Sequence, residues 1–267
     1  MGHDIVYSLY GMCGIVGYLG KGNAQESLVD GLRRLEYRGY DSAGVAFHEG
    51  GEFSLFRETG RVENLANALR GSGSFSSLGI AHTRWATHGS VTVSNTHPHQ
   101  SHDEKFVLVH NGVIENFGTL KRFLEGKGIS FASETDSEVL CNLIAYHYSE
   151  LPEDEDRFID AVRLALPKCR GAYGIAVLCL DCPDVMIGGR RGSPLAVGLG
   201  EDANFIASDA SAFVGRAKEA VFLNDGELAI LDKGGFRITT LEGQDAQAVT
   251  HPLDQILEEV ELGDFDS

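Results

Sequence analysis

From residue 172 to residue 240 the chain reads as one short strand after another: 172–180, 185–190, 195–199, 203–208, 220–223, 227–232 and 236–240. Gly, Asp and Asn separate them, as tight antiparallel turns require. The earlier chain alternates differently. Strands are expected at 13–19, 44–48, 52–57, 78–83 and 105–110. Ala24, Leu28, Leu32 and Leu35 recur at helical spacing, so the pattern predicts an amphipathic helix over 24–35. Val62, Leu65, Ala66 and Leu69 mark a second helix, and further helices are expected at about 115–126, 136–149 and 155–167. Thr135-x-x-Glu138 is a capping box that starts the one at 136. Many strands, with the helices grouped in the first two thirds, predict an α+β fold.

Composition narrows the function classes. The net charge of −17 argues against unaided binding to nucleic acid or to an anionic membrane surface. It leaves room for an anionic small substrate, which a few local arginines can serve. No apolar run approaches the ~20 residues of a membrane span, and the segment 5–20 lacks the basic start and small-residue cleavage pattern of a signal peptide. Five scattered cysteines (Cys13, Cys141, Cys169, Cys179, Cys182) suit a reducing, cytoplasmic setting. Cys179-Leu180-Asp181-Cys182 is a C-x-x-C without a second pair, and zinc would need two more ligands. No metal or other cofactor is expected.

Chemistry concentrates at a few places. In Met12-Cys13-Gly14-Ile15-Val16-Gly17, Cys13 reads in one way as a small buried hydrophobe. It reads in another way as a nucleophile. If the chain begins at Cys13, one residue carries both a thiol and an α-amine that titrates near pH ~8, and the amine can take the thiol proton and return it. His82-Thr83-Arg84-Trp85-Ala86-Thr87-His88-Gly89 follows a strand. Arg84 there could grip a carboxylate with both arms of its fork, and Trp85 could exclude water. His110-Asn111-Gly112 follows the strand from Phe106 to Val109 and reads as a plain Asn-Gly turn or as an oxyanion hole. In the second case the Asn111 amide and the Gly112 N–H donate together. In Ser133-Glu134-Thr135-Asp136-Ser137-Glu138, capping uses Thr135 and Glu138, which leaves Asp136 to hold an ammonium group. A thiol beside an amine, an oxyanion hole, a carboxylate grip and an ammonium grip together suit free glutamine.

These motifs, in this order, resemble the glutaminase domain of the glutamine–fructose-6-phosphate aminotransferase (isomerising) family, also called glucosamine-6-phosphate synthases, within the class II glutamine amidotransferases. The resemblance spans roughly Cys13 to Asp232. It rests on MCGIVGY at 12–18, GLRRLEYRGYDSAGVA at 31–46, GIAHTRWATHG at 79–89, NTHPH at 95–99, VHNGVIEN at 109–116, SETDSEV at 133–139, RGAYG at 170–174 and SPLAVGLG…NFIASD at 193–209. It implies an N-terminal-nucleophile hydrolase fold, a four-layer αββα sandwich with two antiparallel sheets. It implies that Cys13 attacks the glutamine side-chain amide and that Asn111 and Gly112 stabilise the oxyanion. Arg84 and Asp136 would hold the substrate's carboxylate and amine. Thr87, His88 and Trp85 would line or close the same pocket, and Arg38 would position the terminal cysteine. His82, His97, His99 and His110 are expected to order loops. In the family, two sugar-isomerase domains, absent from this chain, follow this domain and use the ammonia to make glucosamine 6-phosphate from fructose 6-phosphate, and the resemblance implies a homo-oligomeric full-length protein. Residues 1–12 then form an N-terminal extension, 13–250 the glutaminase domain and 251–267 the start of a linker. The competing reading is a glutamine-binding module that is inactive because the Cys13 amine is blocked.

Overall fold

The computed structural model describes residues 13–73, 75–84 and 91–256, apart from the Arg38 side chain. The expected extension at 1–12 and most of the expected linker lie outside the described residues. The chain opens with β1 (Gly14–Gly20), α1 (Ala24–Leu35), β2 (Ser42–Glu49), β3 (Glu52–Thr59), α2 (Val62–Leu69) and β4 (Leu78–Arg84). It continues with β5 (His99–Gln100), β6 (Phe106–Ile114), α3 (Phe117–Glu125), α4 (Asp136–Glu150) and α5 (Arg157–Ala165). The strand-rich remainder is β7 (Gly171–Cys179), β8 (Met186–Arg191), β9 (Ala196–Leu199), β10 (Ala203–Ala207), β11 (Glu219–Phe222), β12 (Glu227–Asp232), β13 (Gly235–Thr240) and β14 (Thr250–Pro252).

Two antiparallel sheets result. One runs β14-β11-β9-β10-β1-β4-β2-β3 and the other β13-β12-β8-β7-β6-β5. Residue alternation assigns their faces. In β1, Ile15 enters the layer between the sheets, while Val16 packs with Leu28 and Leu32 of α1. In β6, Val107 and Val109 join that central layer, and Phe106 and Leu108 face Leu140, Ile144 and Phe158 of α4 and α5. Helices therefore cover the outer face of each sheet, which is the αββα sandwich of the N-terminal-nucleophile hydrolases. Strands buried on both sides must be apolar at every position rather than at alternate ones. Val107, Leu108 and Val109 are all 0% exposed.

The helices begin where local chemistry says they should. Asn23 caps α1 by accepting from Gln25 N, and burial of Leu28 and Leu32 adds roughly 1.5–3 kcal/mol each. Thr135 caps α4 by accepting from Glu138 N at 3.2 Å. The reciprocal half of the capping box differs from expectation. Glu138 bypasses Thr135 and accepts from Ala132 N and Ser133 N, at 2.7 and 2.6 Å, so it ties down the two residues further out.

Two strands escape the sequence pattern. β5 has two residues, too few for any period to register. β14 contains Pro252 and pairs with β11 at the edge of its sheet, the place a strand proline is tolerated. Leu253 is buried, so packing continues past residue 250, where the linker was expected to start. The larger correction concerns β6. Asn111-Gly112 does not close a strand as a turn. The strand runs on to Ile114, with Asn111 opposite Gly174 and Gly112 opposite Tyr173 of β7. Gly112 makes this continuation feasible. Its φ is +125°, and a Cβ there would meet the Ala172 carbonyl oxygen at 2.2 Å.

Candidate active site

Along the central layer, three neighbouring strands change character at the same end. In β4 the inward stripe reads Leu78, Ile80, His82, Arg84, and in β6 it reads Val107, Val109, Asn111. In β1, stepping back from inward-facing Ile15 by one pleat reaches Cys13. The first members of each stripe are core and the last are polar. The register brings these ends together, since Ile15 pairs with His82 and Gly14 with Thr83. β2 ends alongside, with Ser42 opposite Arg84.

Contact between the sheets is made by Asn111. Its Nδ2 donates to the Cys13 carbonyl oxygen at 2.9 Å, joining residues 98 apart in sequence. Behind it stands His82, whose Nε2 lies 3.0 Å from Asn111 Oδ1 and 3.2 Å from the His110 carbonyl oxygen. Gly112 follows at the surface, exposed with Val113 near the end of a strand that is otherwise buried. Cys13 is half-buried, and none of the five cysteines is in a disulfide.

The two expected substrate grips are joined through one residue. Arg84 Nη1 donates to the Asn95 carbonyl oxygen at 3.2 Å, and Asn95 Oδ1 accepts from Glu134 N at 3.2 Å. Glu134 lies two residues before Asp136. Asp136 is the first residue of α4, and its Oδ2 accepts from Ile114 N at 2.7 Å, which fixes the carboxylate beside the end of β6. Arg38 lies in a single turn, Glu36–Arg38, that leads to Gly39. Thr83 Oγ1 donates to the Gly39 carbonyl oxygen at 2.8 Å, and Asp41 N donates to the Arg84 carbonyl oxygen at 3.0 Å, pinning that loop to the end of β4. Trp85, Thr87 and His88 lie outside the described residues.

The histidines are not loop ornaments. His82, His97, His99 and His110 are all buried. His97 stacks on His82 with ring centroids 4.1 Å apart and meets His99 edge-on at 4.6 Å. His99 Nε2 lies 3.1 Å from Thr135 Oγ1, and His110 Nδ1 lies 2.9 Å from Ser137 Oγ. Burial holds the pKa of all four below the usual imidazole value, and pushes that of His82 down to about 3. The four rings are therefore uncharged at neutral pH, and Arg84 stands as a positive charge beside His82, His97 and His99. Asn95 and the inward position of His82 were not singled out from sequence. The signal was present in the alternation Leu78-Ile80-His82-Arg84, whose polar members continue an apolar stripe.

Among the described residues, no group of three His, Cys, Asp or Glu side chains is placed to hold a metal ion, and no helix is long and apolar enough to cross a membrane.

Residues 82–214 match the glutamine amidotransferase domain family. The chain is 44% identical over 254 residues to the glutamine–fructose-6-phosphate aminotransferase (isomerizing) of Thermus thermophilus, covering 95% of this chain and 41% of that protein. It is 47% identical over 224 residues to the protein of the same name from Bacteroides thetaiotaomicron, covering 84% of this chain and 36% of the relative. The chain thus spans about two fifths of these relatives. Among solved structures, the glutamine phosphoribosylpyrophosphate amidotransferase of B. subtilis matches 86% of this chain and 49% of its own, with a TM-score of 0.72 at 26% identity. A glutamine aminotransferase class-II domain protein from Silicibacter pomeroyi shares the fold, with a TM-score of 0.58 at 17% identity, over 86% of this chain and 99% of its own.

Proposed function

The chain belongs to the glutamine amidotransferase domain family, and from that premise we propose that it hydrolyses L-glutamine to L-glutamate and ammonia through a thioester on Cys13. The observation that carries the reading is the contact between Asn111 Nδ2 and the Cys13 backbone. It sets an amide donor and the exposed N–H region of Gly112 beside the one thiol that can neighbour a chain terminus.

Chemistry follows from those positions. With the Met12–Cys13 bond cut, the Cys13 α-amine accepts the thiol proton and the sulfur attacks the side-chain carbonyl carbon of glutamine. The carbonyl π electrons move to oxygen, and the oxyanion is met by Asn111 Nδ2 and Gly112 N. The ammonium at Cys13 returns the proton to the departing nitrogen. Ammonia leaves and the C–N bond is replaced by a C–S bond. Water then adds to the thioester, assisted by the same amine; the C–S bond breaks, and glutamate and the thiol are regenerated. Arg84 holds the α-carboxylate of glutamine and Asp136 its α-ammonium group, with Asn95 keeping the two at a constant separation. Arg38 positions the terminal cysteine, and Trp85, Thr87 and His88 complete the pocket. In the whole protein the ammonia passes to sugar-isomerase domains that convert fructose 6-phosphate to glucosamine 6-phosphate, the activity for which the relatives are named.

The test is Cys13→Ser on chain that begins at residue 13. Glutamate release is expected to vanish while glutamine still binds, because serine is a poor nucleophile for so weak a base. Steady glutamate release by the serine variant would remove Cys13 from the chemistry.

A further inference from the structure

We propose that His82 is a positioning residue for glutamine hydrolysis: through its Nε2–H it fixes which way the Asn111 carboxamide faces, so that nitrogen and not oxygen is turned toward Cys13. This rests on the hydrolysis reading above.

An asparagine amide has two faces that are nearly identical in shape and opposite in polarity. Turned one way, Asn111 offers N–H bonds to an oxyanion. Turned the other way, it offers a carbonyl oxygen that would repel one. Gly112 cannot correct that error, because a backbone N–H has no alternative orientation. Something must therefore choose, and the polar atoms around Asn111 do so. His82 Nε2 faces two oxygens, Asn111 Oδ1 at 3.0 Å and the His110 carbonyl oxygen at 3.2 Å. The His110 carbonyl can only accept, so Nε2 carries the hydrogen, and this hydrogen makes the atom beside it the Asn111 oxygen. Nδ2 is then left to reach the Cys13 carbonyl oxygen at 2.9 Å. Flipping the amide would turn the Asn111 NH2 toward the His82 N–H, donor against donor, and set Oδ1 against the Cys13 carbonyl oxygen, acceptor against acceptor. The first contact is buried and the second part-buried, and an unmet polar pair costs most where water is excluded.

His82 is itself immobilised. It is 1% exposed, sits on β4 opposite Ile15 and Gly44, and stacks at 4.1 Å on His97. Beside Gly44 there is no slack, since a Cβ there would meet the His97 carbonyl oxygen at 2.1 Å. Two strands and the segment 95–99 thus hold the ring whose N–H selects the amide face. The same geometry makes the orienter insensitive to pH through the neutral range, because a ring buried this fully does not take up a second proton there.

Glutamine is the natural probe of this role, because its side-chain N–H reaches about as far as His Nε2–H; leucine keeps much of the volume and has no donor. The turnover number and Michaelis constant for glutamine are measured on chain beginning at Cys13 for wild type, His82→Gln and His82→Leu, each also combined with Asn111→Ala. His82→Leu is expected to lower turnover by about 10–100-fold, part of what one oxyanion donor is worth, with the Michaelis constant within about twofold. His82→Gln is expected within about threefold of wild type. In the Asn111→Ala background, His82→Leu is expected to cost less than about twofold, as for residues acting through one another. Losses that multiply in the double variant, or equal losses in the Gln and Leu variants, would overturn the proposal and leave His82 a packing residue. If His82→Leu does not fold, His82→Asn takes its place. Its amide is one methylene short, so turnover about tenfold below that of His82→Gln is expected, and equal rates overturn the proposal. A wild-type chain that releases no glutamate at all removes the hydrolysis reading and this proposal together, whereas failure confined to the His82 variants removes only the proposal.

Discussion

The two ends of β1 both carry charge and polarity, but they point it in opposite directions. At the Gly20 end a cleft of about 600 Å³ opens among Leu19, Lys21, Asp202, Asp232 and Lys233. By size it would be a natural ligand site. Its lysines, however, are paired in water: Lys21 bonds Asp202 at 2.9 Å with both side chains more than 70% exposed, and Lys233 pairs with Asp184 outside the cleft. At the Cys13 end His82 and Asn111 are carried inward on core stripes and buried, and the polar groups bond to one another and to backbone atoms of other elements. Burying polar groups costs stability unless each is matched, so the buried end is the one whose arrangement needs a purpose. Surface ion pairs of the first kind contribute about 0–1 kcal/mol and orient nothing. The volume of a cleft therefore does not by itself mark a site, and directed, buried polar groups favour the Cys13 end.

The sharpest way to break this contrast is Asn111→Ala. Turnover is expected to fall by roughly 10²–10³ with glutamine affinity little changed, the usual loss for one oxyanion donor. Steady-state kinetics on chain beginning at Cys13 decide it, and unchanged turnover would move the oxyanion hole elsewhere. Arg84→Lys is expected to act next most strongly. A point charge cannot reproduce a bidentate fork, and one hydrogen bond lost to a charged group is worth ~1.5–3 kcal/mol. The Michaelis constant should rise about 10–100-fold while turnover changes less. Turnover lost with binding intact would count against a carboxylate role. At the opposite end, Lys21→Ala should alter neither kinetic constant by more than about twofold and should leave stability essentially unchanged, as for ordinary surface substitutions. A kinetic defect there, read in the same assay, would mean that the Gly20 cleft takes part after all.

Much of this was legible before any coordinates, for reasons that differ from residue to residue. α1 was readable to its last residue because Ala24, Leu28, Leu32 and Leu35 repeat an apolar face at helical spacing. The β7–β13 succession was readable because turn residues separate apolar runs. Cys13, Arg84, Asn111 and Asp136 stood out because their chemistry is conspicuous beside short apolar strands. Asn111-Gly112 was misjudged locally. As a dipeptide it favours a turn, and only pairing with β7 makes it strand. His82 was undervalued because one histidine on an apolar strand looks like core. Its role depends on which face of β4 meets which face of β6, and strand order across two sheets is not written in any local period. Asn95 shows the same limit, since its partners Arg84 and Glu134 come from distant segments.

The claim on which the rest depends is that Cys13 works with its own α-amine. A nitrogen committed to the planar Met12–Cys13 peptide bond is neither basic nor free, and a thiol near pKa ~8.5 is little ionised at neutral pH without a base. The direct measurement pairs the intact mass of a purified sample with glutamate release from the same sample. Material whose mass includes residues 1–12 is expected to be inactive or very slow, and material that begins at Cys13 to be active. Full activity from chain that still carries residues 1–12 would contradict the mechanism.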